Sequence, residues 1–127
     1  MHLTAVHDDV TSPEELAEFI FDIHAGSRPE GWEDGIVEQL DRSAQYRLVT
    51  ALAQTLHVYA ATDAQRIADY SRQSSPPPLV YVWEFGCPNP EITLLDGAHR
   101  ALAARPGDEL DLWVPDDAPV LLAAAGG

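Results

Sequence analysis

Apolar positions with a helical period appear first at Leu16, Phe19, Ile20 and Ile23, spaced three and four apart on one stripe. Thr11-Ser12-Pro13-Glu14-Glu15 precedes the stripe. It reads as a helix start with Ser12 as N-cap, Pro13 at the first helical position and Glu15 reaching back as in a capping box. The helix is expected to end near Gly26. Ahead of it, His2 to Val6 fits a short strand, a run too brief for pattern alone to decide. Beyond the loop Ser27 to Gly31, the spacing of Val37, Leu40, Ala44, Leu48, Ala51, Leu52 and Thr55 predicts a longer helix from about Glu33 to Leu56. Gly35 near its start costs about 1 kcal/mol relative to alanine, which favours a later start. The two helices are expected to pair as an antiparallel hairpin, stripe against stripe. Within it Trp32, Tyr46 and Arg47 are groove candidates, with ordinary packing as the competing role.

The second half starts again at Thr62, an N-cap with Gln65 three places on, and a helix from Asp63 to about Gln73 buries Ile67 and Tyr70. Pro76-Pro77-Pro78 ends it and stiffens the entry into Leu79 to Phe85, a β-rich run with Val80, Val82 and Phe85 against Tyr81 and Trp83. Gly86-Cys87-Pro88-Asn89-Pro90 turns the chain into Ile92 to Leu95, most simply as a hairpin with a wide loop. Asp96-Gly97 is then a tight turn, Ala98 to Ala104 a helix closed by Pro106-Gly107, and Glu109 to Val114 a half-buried strand. Val120-Leu121-Leu122 reads as an added edge strand and the last five residues as disordered. The order from Thr62 is helix, strand, strand, helix, strand, with no internal repeat. The fold class expected is α+β, with the helical hairpin packed on a small mixed sheet.

At 127 residues with 46% hydrophobic content, the chain suits one domain, or one small domain with an added helical layer. Twenty-one acidic residues face seven arginines and no lysine, for a formal charge of −14. A field of that sign repels duplex phosphates and argues against direct DNA binding. Three readings of the acidity stand side by side: solubility, a salt-rich cytoplasm in which self-repulsion is screened, and a surface for a basic protein partner. Cys87 is the only cysteine, so an internal disulfide is excluded. With no basic-then-apolar leader and no membrane-length apolar run, a cytoplasmic protein without membrane association is expected.

Candidate chemistry gathers in Glu91 to Ala104, EITLLDGAHRALAA. A strand, a glycine turn and a helix start make a natural anion site, because helix-start N–H groups and the positive end of the dipole favour phosphate or carboxylate. Gly97 permits close backbone approach, and Arg100 can fork two hydrogen bonds onto an oxyanion. Asp96 can accept from a ligand hydroxyl, hold a metal or act as a base, or it can simply cap the helix. His99 can contact phosphate or serve as acid or base, against a role as a first-turn histidine satisfied by its neighbours. His7-Asp8-Asp9 is a possible hard-ligand cluster, against a solvated loop. Walker-type loops, paired cysteine motifs and Gly-x-Ser-x-Gly elbows are absent.

LLDGAHRALAA resembles the second motif of the ParB/sulfiredoxin superfold, whose Asp-Gly-x-His-Arg members include ParB-like domains and free-serine kinases. The resemblance runs from about Leu56 to Val114. It implies a ParB/sulfiredoxin-like domain over residues 58–116, between an N-terminal helical region at 1–57 and a partly disordered tail at 117–127. It further implies nucleotide phosphates held at Gly97, Ala98, His99 and Arg100, with Asp96 and His99 as the catalytic candidates. The ligand would be ATP, ADP or CTP with its magnesium. This chain departs from the superfold at two places. Ala98 stands where sulfiredoxins carry the reacting cysteine, and Leu56 to Ala60 lacks the glutamate of the free-serine kinases, leaving Glu84 or His57 as spatial substitutes. The expectation is a protein that binds a nucleotide or another phosphorylated small ligand, with phosphoryl transfer or nucleotide hydrolysis as its chemistry if it is an enzyme. The alternative is a non-catalytic acidic interaction module, such as an immunity protein, antitoxin or phage-encoded inhibitor.

Overall fold

The computed structural model describes residues 1–24, 30–56, 64–71, 77–84 and 91–121, leaving aside the side chains of Arg66, Tyr70 and Ser71. In chain order the elements are β1 (Leu3–Thr11), α1 (Pro13–Ile23), α2 (Trp32–Leu40), β2 (Tyr46–Leu52), a 3-10 turn (Ala53–Thr55), α3 (Ala64–Ser71), β3 (Leu79–Trp83), β4 (Ile92–Asp96), α4 (Ala98–Ala103) and β5 (Glu109–Pro115). The five strands form one mixed sheet in the order β1-β2-β5-β3-β4. The molecule is therefore α+β, and the order of elements in its second half is the one predicted.

The start of α1 follows the sequence closely. Ser12 Oγ accepts the Glu15 N–H at 3.2 Å and Pro13 opens the helix. The Glu15 carboxylate accepts the Thr11 hydroxyl at 2.8 Å, one residue further back than in a capping box. The predicted second helix is corrected: it stops at Leu40, and Tyr46–Leu52 is a strand between β1 and β5. A buried run of aromatic, β-branched and leucine residues suits either period, and pairing on both sides settles it in favour of the sheet. Ser43 supports the change of direction, its N–H bonding Leu40 O at 3.3 Å and its hydroxyl Gln45 O at 3.2 Å. The first strand also runs further than predicted, to Thr11. The predicted edge strand at Val120 is corrected to a helical turn over residues 119–121, with the Leu121 N–H on Ala118 O at 3.0 Å. Expectations for Gly26 to Pro29, His57, Thr62, the turn at Gly86 to Pro90 including Cys87, and the last five residues lie outside the described residues.

β3 and β4 pair antiparallel as the predicted hairpin, Val80 opposite Asp96 and Trp83 opposite Ile92. α4 then carries the chain back so that β5 lies parallel to β3 on its other side, Leu79 opposite Leu112. Leu79, Val80, Tyr81 and Val82 are all buried, because β3 is internal and both its faces are covered. One face packs Val80, Val82 and Trp113 under Leu16, Ile20, Ile36 and Leu40 of α1 and α2. The other packs Leu79, Tyr81, Leu112 and Val114 with Ala101 of α4 and Leu121. β1 and β2, from the first 57 residues, share this sheet with β3 to β5, so the sheet runs across position 57.

Candidate functional site

The β4–α4 turn sits on buried leucine. Gly97 has φ +114°, and a Cβ built there would lie 2.6 Å from Leu79 Cγ and 3.1 Å from Arg100 Nη2. Both backbone conformation and space thus require glycine, so close ligand approach is not the sole reason for its presence. Gly97 is itself the N-cap of α4, with no side-chain cap bond. The capping role considered for Asp96 is therefore corrected.

Asp96, 8% exposed, divides its carboxylate between two partners. Oδ1 accepts from His24 Nε2 at 2.6 Å and Oδ2 from Arg100 Nη2 at 3.0 Å. Arg100, 2% exposed, also donates from Nη2 to Pro78 O at 2.9 Å. Burial alone would raise the Asp96 pKa, but the hydrogen bond from His24 and the Arg100 charge outweigh it and hold the carboxyl below its usual range. With Asp96 ionised, the shared proton sits on His24 Nε2. The oxyanion in the grip of Arg100 is thus a carboxylate of this chain.

His24 was not among the residues singled out in the sequence, although the signal was present. It follows Leu16 and Ile20 at steps of four, which places it on the inward stripe of α1 at the helix end. Its ring stands edge-on to Trp32, centroids 5.6 Å apart, and Trp32 in turn meets Phe21 at 5.8 Å. His99 and Ala98, on the first turn of α4, are half-buried. Asp96, Gly97, Ala98, His99 and Arg100 thus lie in one strand–turn–helix junction, and His24 joins Asp96 there from 72 residues away.

The other sequence candidates do not join this group. Tyr46 is fully buried and donates its hydroxyl to Leu40 O at 2.6 Å. Arg47 pairs with Asp116 at 2.9 Å and donates to His7 O at 3.0 Å, while Trp32 packs against His24, the packing role that competed with the groove. Glu84 lies beyond Trp83, at the opposite end of the β3–β4 hairpin from Asp96, which rules it out as a spatial substitute for the kinase glutamate. His7 is in β1 rather than a loop, its Nε2 meeting Thr50 Oγ1 at 2.8 Å while that hydroxyl donates to Asp111 Oδ1 at 2.8 Å. Among the described residues no group of three or more His, Cys, Asp or Glu is placed to hold a metal, and no helix is long and apolar enough to cross a membrane. Comparisons of the chain with family models, with curated proteins and with solved structures found no match.

Proposed function

We propose that the turn Asp96 to Arg100 binds a small phosphate-bearing ligand, with a nucleotide as its first candidate. The observation that carries this reading is the Arg100 guanidinium lying against a left-handed glycine turn and gripping a carboxylate oxygen at 3.0 Å. Such a turn suits an oxyanion, and the Asp-Gly-x-His-Arg resemblance supplies the ligand class. An incoming phosphate would either displace Asp96 from Arg100 or bind beside it at the helix start, near His99. Magnesium would arrive with the nucleotide. Phosphoryl transfer or hydrolysis is the chemistry the site would support, Arg100 and the helix start stabilising phosphate charge and Asp96 or His99 moving protons. Calorimetric titration with ATP, ADP, CTP and GTP, with and without magnesium, tests it. Saturable heat that is lost in Arg100→Ala, in a variant that still folds, is the expected outcome; no heat with any nucleotide removes the nucleotide reading.

A second reading has its own observation. α1 and α2 expose Glu14, Glu15, Glu18, Glu33, Asp34 and Glu38 and contain no arginine. Arg47 and Arg100 are meanwhile paired with aspartates. This supports a non-catalytic module facing a basic protein. Its complex would form fast at low salt and lose on-rate as salt rises. Full partner binding by Arg100→Ala would favour this reading over the first.

A further inference from the structure

β1 has a single sheet neighbour, β2, so along its other side the backbone N–H and C=O groups have no strand partner among the described residues. None of its nine residues is buried, and Val6 and Val10 are 48% and 44% exposed. Their partners Val49 and Arg47 are two apart, which places both valines on one face; four steps on β1 span two on β2. Asp8 and Asp9, both exposed, lie in the excess. Charges and bulges of this kind commonly protect an edge from indiscriminate pairing. Two copies set edge to edge in antiparallel fashion with the two-fold axis between Asp8 and Asp9 would stack two acidic pairs between chains of charge −14, and like charges placed opposite are destabilising. A strand bearing cations at that point gains where a second copy loses.

We propose that the free edge of β1 docks an extended, basic segment of another protein. It adds as a strand alongside Leu3 to Val6, covers Val6 with an apolar side chain and sets lysine or arginine against Asp8 and Asp9. This rests on the interaction reading above and makes it local. The probe is a short peptide alternating valine and lysine, compared at low salt with its backbone N-methylated form and with a glycine–lysine peptide of equal charge. Slowed amide exchange at Leu3 to Val6 is expected with the first peptide alone, and affinity about tenfold weaker in Asp8→Lys/Asp9→Lys, where two attractions become repulsions. Equal protection by the N-methylated or glycine–lysine peptide overturns it, as does undiminished affinity in the double variant. Protection confined to α1 and α2 overturns the β1 site while leaving the interaction reading standing. Failure of every basic peptide to bind removes both. Sedimentation as a dimer with β1 protected would replace the basic segment by a second copy.

Discussion

Asp96 is the residue on which two elements of the protein depend, because its oxygens join His24 at the end of α1 to Arg100 in α4. Its folded pKa is lowered, so the carboxylate contributes stability that is present above the ordinary carboxylate value of about 4 and is lost as pH falls through the folded value. Asp96→Asn is expected to destabilise at pH 7 by about 3–5 kcal/mol, since it leaves Arg100 buried without its counter-charge. The difference from the unsubstituted protein should shrink as pH drops below about 4. Urea melts of both proteins across that range measure it; a gap independent of pH would show that the carboxylate charge is not what holds the turn. Gly97→Ala tests the neighbouring position. A left-handed backbone costs an alanine about 1–2 kcal/mol, and moving Leu79 away from the new methyl about 1–3 kcal/mol. A melting curve unchanged by the methyl would mean that the turn has room the geometry denies it. Asp96, Gly97 and Arg100 were legible in the sequence because they are local to one turn. His24 was less so, because its partner is 72 residues away and only the stripe of α1 pointed inward.

At the scale of elements, legibility followed the number of local signals that agreed. α1 carried a cap, a first-position proline and an apolar stripe, and the structure places its start where they do. The hairpin β3–β4 was bounded by proline- and glycine-rich segments, and the alternation of Leu110, Leu112 and Val114 marked β5. β2 was missed for a physical reason. In Tyr46–Leu52 four residues are buried and the rest half-buried, so no polar face marks the period of two. What makes it a strand is non-local: Val49 lies opposite Val6 on one side and Leu112 on the other. A helix extended through this segment would also have to continue past Ser43 and bury Arg47 beside Leu48, whereas in the strand the two point to opposite faces.

For the whole molecule, the consequence is that the second half does not contain a complete core. Removing residues 1–57 leaves β5 without β2, exposing the edge along which Val49 and Ala51 meet Leu112 and Leu110. The same cut uncovers Val80 and Val82 by deleting Leu16, Ile20, Ile36 and Leu40, and it takes His24 from Asp96. Burying a leucine or valine is worth about 1.5–3 kcal/mol, and domains carry only about 5–15 kcal/mol in total. Losing four such side chains and two strands therefore exceeds what the fragment can spare. A fragment of residues 58–127 is expected to show no cooperative urea transition when followed by the fluorescence of Trp83 and Trp113, both of which it retains. A sigmoidal transition with native-like emission would make the motif-bearing half an independent domain and the first 57 residues an accessory to it. Absence of a transition would mean that the Asp96 turn is held in place by a sheet that both halves build.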